Sequence, residues 1–496
     1  MKRLTIILLT ISGLLVFAPA SWAIPGFSGG VKDQYQYEEV VFVTGEPIRF
    51  SGSVDVTERE RQGEVTVTYN FRLEPQDRSI DGRLTRRVTY NIDSNKRDDK
   101  GQTITQTGLN DNYRETIDIE GDRYTLESYS FSKSDVIDNR ATSDFSSGNI
   151  SGRKVYHLNG NEGKVEINFS GGSVGYENFW GKTETMLIDF YYEGETVGVG
   201  DEGNGYSWQG NVRSQVSDST TKTLRYWDNE ASYSSFTGGH MRITNSEMVS
   251  QYQYTLPNFD EDGLTSGRSR GTIQLYKEMP QEIERLIVPK FRDVNGHWAE
   301  DHIKKLYSLD VFDESSDFFV PNAPMSRVDF TKGLMRACNI RVTEEEDPRA
   351  RVRRNEPPEE LLFEDISVED ENYKYIKMGV EQGIISGISK NEFGPNNPLT
   401  RAQAITLLIR SLGFEHNAPN PGYYTSFADD HAIPNWAKDS IYMAQEIGLV
   451  QGDSQNRVNP HDEMTRAEAS ALLVRFLEFL ERDLQRDYRE NILLFN

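Results

Sequence analysis

Cysteine is nearly missing from this chain: Cys338 stands alone among 496 residues. That excludes an intramolecular disulfide, and with it the stapled scaffold of many small secreted domains. Cys338 lies in the apolar run from Phe330 to Ile340 and reads as a small core residue. Past Phe17 no apolar run reaches the ~20 residues that a bilayer-spanning helix needs. Positive charge is short as well: 54 Lys and Arg face 78 Asp and Glu, for a formal net charge of −24. A general binder of nucleic acid or of anionic membranes is thereby excluded, and an anionic ligand would need a local basic site. The seven histidines show no metal spacing, and His297 and His302 fall off one helix face. There is no phosphate-binding loop. Acid clusters such as Asp260-Glu261-Asp262 are what so acidic a composition produces unaided. No catalytic set, metal set or cofactor motif stands out, and an enzyme is not expected.

What is present begins with an export signal. Lys2 and Arg3 precede the apolar run Leu4 to Phe17, and Ser21-Trp22-Ala23 offers a small-x-small cleavage site. Residues 1–23 are expected to be removed near Ala23, leaving an extracellular chain with no transmembrane segment. Residues 24–280 have the texture of β structure. Val65, Val67, Tyr69, Phe71 and Leu73 alternate with Thr66, Thr68, Asn70 and Arg72, and Val165, Ile167 and Phe169 alternate likewise. Turn-forming clusters at Asp93-Ser94-Asn95, Asn159-Gly160-Asn161 and Gly171-Gly172-Ser173 divide the runs. Thr255 to Arg270 reads as a loop, and 281–290 as a linker. An all-β, Ig-like sandwich, one or two domains, is the expectation. The strands read as too short and too charged for a lipid-facing barrel wall.

Beyond residue 290 the chain repeats itself. Phe291-Arg292-Asp293, Phe363-Glu364-Asp365 and Phe427-Ala428-Asp429 each open a segment. Ser326-Arg327-Val328-Asp329, Thr400-Arg401-Ala402-Gln403 and Thr465-Arg466-Ala467-Glu468 each close one. Two landmarks holding one register mean a copied unit whose neighbours bury each other's apolar faces. The closing motif is a helix start. Thr400 with Gln403, and Thr465 with Glu468, have capping-box spacing, and Ser326 with Asp329 is a weaker version. Its arginine sits at the first helical position, where the macrodipole disfavours a cation by a few tenths to ~1 kcal/mol. Three arginines at equivalent places imply that the cation is wanted. With unspent helix N–H groups each would form an anion site suited to carboxylate or phosphate. The alternative is that each arginine pairs with a carboxylate of the repeat, such as the Phe-x-Asp acid.

These residues, with the Trp298-Ala299 and Trp436-Ala437 helix starts and the glycine pairs Gly383/Gly387 and Gly448/Gly452, resemble the S-layer homology family of bacterial surface proteins. The first repeat departs most, lacking the glycine pair between Tyr307 and Pro321. The resemblance implies an all-α domain of three motifs with pseudo-threefold symmetry, at 291–341, 363–414 and 427–480. A charged insert (342–362) separates the first two, and a tail (481–496) follows. It also implies non-covalent attachment to a secondary cell-wall polysaccharide, linked to peptidoglycan and often pyruvylated. Ligands would lie between motifs, with the motif arginine on the pyruvate carboxylate. By that transfer Arg401 and Arg466 are the first contacts, Arg327 the third, and Trp298 and Trp436 next. For the tryptophans, core packing is the competing role.

Two functions follow. One is an S-layer or envelope structural protein, anchored by its C-terminal region and open to self-association. The other is a wall-tethered carbohydrate-binding or carbohydrate-active protein with its module in residues 24–280.

Overall fold

Alternation builds the first region. In 163–169 the apolar Val165, Ile167 and Phe169 are buried while Lys164, Glu166 and Asn168 face outward. The computed structural model describes residues 28–61, 64–97, 100–197, 205–227, 239–259, 265–313, 316–339, 361–419 and 423–491. The expected signal and most of the charged insert lie outside the described residues. In chain order the strands are β1 (Val31–Lys32), β2 (Tyr37–Val41), β3 (Ile48–Arg61), β4 (Glu64–Pro75), β5 (Gly82–Arg97) and β6 (Gln102–Leu109). Next come β7 (Arg114–Ile119), β8 (Asp122–Asn139), β9 (Ser143–Leu158), β10 (Gly163–Asn178) and β11 (Gly181–Thr196). β12 (Ser207–Trp227), β13 (Gly239–Phe259), β14 (Thr265–Glu278) and β15 (Glu282–Arg285) end the series.

All of them belong to one antiparallel sheet in which neighbours in sequence are neighbours in space. β6 and β7 lie end to end between β5 and β8, and β14 and β15 lie end to end along β13. The sheet curls until its two ends meet. Lys277 of β14 reaches Asp33 at 3.3 Å and Glu38 at 3.7 Å, and Tyr252 of β13 donates to the Ser28 carbonyl at 2.8 Å. One core runs inside, from Val40 and Phe71 to Phe169, Trp208 and Leu256.

The Ig-like sandwich is therefore corrected to a single curled meander. A sandwich divides its strands between two sheets by crossing connections, whereas here successive strands join as hairpins. At the β7–β8 turn Glu120 and Gly121 take φ of 51° and 93°, as a two-residue primed turn requires. Two expected turns lie inside strands: Asp93-Ser94-Asn95 in β5 and Gly171-Gly172-Ser173 in β10. Gly171 serves close approach, since a Cβ there would sit 2.1 Å from the Leu187 carbonyl oxygen. The supposed loop at 255–270 includes the end of β13 and the start of β14. Nor are the strands short, β12 and β13 having 21 residues each.

The sheet's core also holds charge. Arg86 donates to both oxygens of Glu39 at 2.8 Å and to Glu115 at 2.6 Å, and Lys154 donates to Glu115 at 2.8 Å. Burial pushes the Glu115 carboxyl up, but Arg86 and Lys154 outweigh it and hold the group at about 2.

The second region is helical: α1 (Glu300–Ser308), α2 (Arg327–Ala337), α3 (Tyr373–Glu381), α4 (Arg401–Ser411), α5 (Asn435–Glu446) and α6 (Arg466–Asn491). Each repeat contributes two helices to one core that includes Phe330, Ile376, Leu408, Ile441 and Phe476. No helix among the described residues is long and apolar enough to cross a membrane. The two regions share packing. The β10–β11 hairpin tip buries Phe179 and Trp180 in the helical core. The Trp180 indole N–H donates to the Leu477 carbonyl at 2.7 Å, Asn178 to the Leu480 carbonyl at 2.8 Å, and Tyr176 to Asp483 at 2.7 Å.

Candidate functional site

The three helix starts are built alike. Gln403 N–H donates to Thr400 Oγ1 at 3.4 Å and Thr400 N–H to Gln403 Oε1 at 3.1 Å, closing a capping box. Glu468 and Thr465 exchange the same pair at 3.2 and 2.8 Å. At the first repeat Asp329 N–H donates to Ser326 Oγ at 3.1 Å, while the Ser326 hydroxyl donates back to the Asp329 carboxylate at 2.6 Å.

Each start then leans on the next repeat, in a closed cycle. Arg327 donates through its guanidinium to the Ser386 carbonyl at 2.6 Å, from the first repeat to the second. Arg401 donates to the Val458 carbonyl at 2.9 Å, from the second to the third. Arg466 donates to the Phe319 carbonyl at 2.8 Å, from the third back to the first. The backbone follows the same order: Arg327 N–H to Asn397, Arg401 N–H to Asp462 and Arg466 N–H to Ala323. Val328, Ala402 and Ala467 donate to Pro395, Pro460 and Pro321. These bonds correct one expectation. The first-turn N–H groups are spent on the neighbouring loop and the cap, so an anion here would meet guanidinium alone.

The carboxylate alternative holds in part, at Arg466. The Phe-x-Asp acids turn to backbone: Asp293 accepts from Phe319 and Val320, Asp365 from Phe393 and Gly394, and Asp429 from Val458 and Asn459, all between 2.7 and 2.9 Å. They shape the loop that the preceding repeat's arginine grips. Arg466 keeps looser acidic company, 3.8 Å from Asp329. Burial draws its pKa down while Asp293 works the other way. Arg327 is only 5% exposed, and burial, then neighbouring Arg410, draws it down. The two also stand over aromatic rings, Arg327 5.0 Å from Phe393 and Arg466 4.5 Å from Phe319.

The tryptophans are not in the core. Trp298 is 60% exposed and Trp436 53%. Both lie five residues before a buried helix isoleucine, Ile303 or Ile441, and the same place before Ile376 in the second repeat is Glu371, so that repeat lacks the outer ring. Sequence reasoning missed a second repeated cation. Arg336, Arg410 and Arg475 occupy one position in α2, α4 and α6, at the same offset from the motif arginine. Arg410 donates to the Ser386 hydroxyl at 3.2 Å, beside the carbonyl that Arg327 uses, and pairs with Glu415 at 3.0 Å. The signal was a third landmark in the register already found.

Residues 290–331, 362–405 and 426–470 match the S-layer homology domain. The helical region carries three S-layer homology domains. The same region is similar to the surface-layer 125 kDa protein of Lysinibacillus sphaericus, 30% identical over 24% of this chain and 10% of that protein. It is also similar to an amylopullulanase of Thermoanaerobacterium thermosulfurigenes (29% identity, 38% of this chain and 9% of the relative). An endoglucanase of Bacillus sp. strain KSM-635 matches at 34% identity over 29% of this chain and 15% of the relative. The chain thus spans a sixth or less of these relatives' length. The third match stops at 470, whereas α6 runs on to Asn491. It is this extension beyond the S-layer homology domain that receives the β10–β11 hairpin.

Proposed function

We propose that this is an exported envelope protein held non-covalently to wall polysaccharide by its three S-layer homology domains. The exposure of Trp298 and Trp436 on a domain whose three motif arginines reach across the junctions between repeats is the observation that carries the reading. The cyclic bonds among the repeats support pseudo-threefold symmetry, with ligand grooves at the junctions. In this reading Arg401 and Arg466 hold an anionic group of the polymer, such as a pyruvate ketal, and the tryptophans stack on sugar rings. Arg327, the most buried of the three, acts mainly as a pin between repeats. The β region is structural, part of a surface layer. The carbohydrate-active relatives favour a second reading, in which the anchor tethers a carbohydrate-directed module instead.

The test is sedimentation of the full mature chain with isolated walls, before and after chemical removal of the polysaccharide. An Arg401→Ala/Arg466→Ala double variant runs alongside. Wild type is expected to bind polymer-bearing walls only, and the double variant to lose roughly tenfold or more in affinity. Equal binding by both would make the arginines structural. No binding by wild type would end the anchoring reading.

A further inference from the structure

We propose that the outer face of β9–β13 is a binding surface for a neutral, hydroxyl-rich glycan. Two open concavities lie side by side there, of about 660 and 700 Å³. Such volumes fall within the range of clefts that take small ligands. Strand register sets the second concavity's side chains in rows. Asn168 pairs across to Tyr191, and Tyr191 to Asn211. One step along, Asp189 pairs across to Arg213, and Arg213 to Gln253. With strands ~4.8 Å apart, a row across four of them spans on the order of 15 Å, the reach of a short oligosaccharide.

Charge selects the ligand class. The chain carries −24 overall, yet this face is balanced. Glu166, Glu193, Glu195 and Asp189 meet Lys164, Arg153, Arg213 and Arg268 along the two concavities and their rim. Arg213 bonds Asp189 at 2.7 Å and Arg153 bonds Glu166 at 2.6 Å, so the strongest charges are spent on each other. An ionic ligand gains no field here. The amides of Asn211 and Gln253 are exposed and, among the described residues, have no hydrogen-bond partner. Together with the Asn168 amide they offer donors and acceptors side by side, the pairing that vicinal hydroxyls use. Tyr191 places a half-exposed ring in the middle of the face, an apolar plane for the carbon face of a sugar. The surface lacks the large apolar centre of a stable protein interface. It is independent of the anchoring site, being on the other region of the molecule.

The full mature chain is titrated calorimetrically with cellohexaose, xylohexaose and maltohexaose, and with hexagalacturonate as the acidic probe. At least one neutral probe is expected to bind, and the acidic probe to bind no better. Tyr191→Thr, an exposed strand change, should weaken binding roughly tenfold, whereas Tyr191→Phe keeps the ring and most of the affinity. Asn211→Ala/Gln253→Ala should weaken it severalfold, and Arg401→Ala/Arg466→Ala should leave it unchanged. Failure of every neutral probe, preference for the acidic one, or indifference to Tyr191→Thr in a variant with wild-type circular dichroism overturns the proposal. So does loss in the arginine double variant, which would put the glycan on the helices. Wall sedimentation reads the anchor separately, so either reading falls without the other.

Discussion

The curled sheet and the helical repeats each bury a cluster around a guanidinium, and they handle it in opposite ways. In the sheet, Arg86 meets two carboxylates, and Lys154 brings a second cation to one of them. In the repeats, Arg327 is given a carbonyl, an aromatic face and a second arginine nearby. The first is a closed account of charge, which fixes how strands pack. The second leaves cation in excess, which costs stability and has use only if something anionic comes to it or if the arginine's reach is what joins two repeats. A buried charge is thus a structural feature in one region and a functional signal in the other.

The largest expected effect breaks that contrast directly. Arg86→Met strands Glu39 in the core, leaves Glu115 with Lys154 as its cation, and should cost about 3–5 kcal/mol, read as a shift of the denaturation midpoint. Arg327→Met, of similar shape, removes a charge that has no carboxylate, and should change stability by no more than about 1 kcal/mol. Comparable losses in both would mean that Arg327 is as well compensated as Arg86. Somewhat smaller, about 3 kcal/mol, is the effect of Trp180→Ala, which empties the helical core of a residue 1% exposed. Although Trp180 belongs to the hairpin, hydrogen exchange should rise in α6 around Leu477 and Leu480. Exchange changes confined to the sheet would show that the regions are separable.

How much of this was legible differs between the regions for a physical reason. A repeat prints its register in residue types: Thr465, Arg466 and Glu468 announce a cap, a helix start and a cation, and the structure places them so. Alternation prints only which side faces in. Val165, Ile167 and Phe169 were assigned to the core correctly. Nothing in them says whether the next strand lies in the same sheet, so alternation does not separate a curled meander from a sandwich. Glycine misled because Gly171 looks the same whether it turns a chain or lets one strand approach another. The cyclic bonding was hidden because its acceptors, the carbonyls of Ser386, Val458 and Phe319, carry no side-chain signature. Arg86 and Glu115 were invisible as a pair, since β5 and β7 place them together only through register.

Acid should separate the regions next. Glu115, ordinarily near 4.5, is held at about 2 in the folded chain, so folding favours its ionised form. That stability is complete above pH 4.5 and is lost as the pH falls towards 2, the unfolded chain taking up the proton first. The expected loss is on the order of 3 kcal/mol. The carboxylates drawn down in the helical region, Glu300, Asp313, Asp430 and Asp453, are 21%, 46%, 15% and 32% exposed against 2% for Glu115, and screening leaves each less weight. Strand amides near Glu115 should therefore lose exchange protection at a higher pH than those of α2, α4 and α6. The reverse order would deny the ion cluster its role.

The smallest effect sharpens the comparison inside the repeats themselves. Thr400→Ala and Thr465→Ala each remove a hydroxyl that accepts from the third helical N–H, at about 1 kcal/mol apiece. In both, Gln403 or Glu468 still reaches back to the cap N–H, so half the box survives. At Ser326 the arrangement differs: Asp329 takes the serine's own proton at 2.6 Å, as Glu468 takes that of Thr465 at 3.0 Å, but among the described residues it makes no return bond to the cap N–H. Ser326→Ala removes acceptor and donor together and leaves Asp329 nearer to Arg466, 3.8 Å away. Closer pairing there offsets part of the lost cap, so Ser326→Ala should cost less than either threonine variant while weakening wall binding through Arg466. If it costs as much and leaves binding intact, the first repeat's serine is a cap like the other two. The junction between the third repeat and the first would then owe nothing to Asp329.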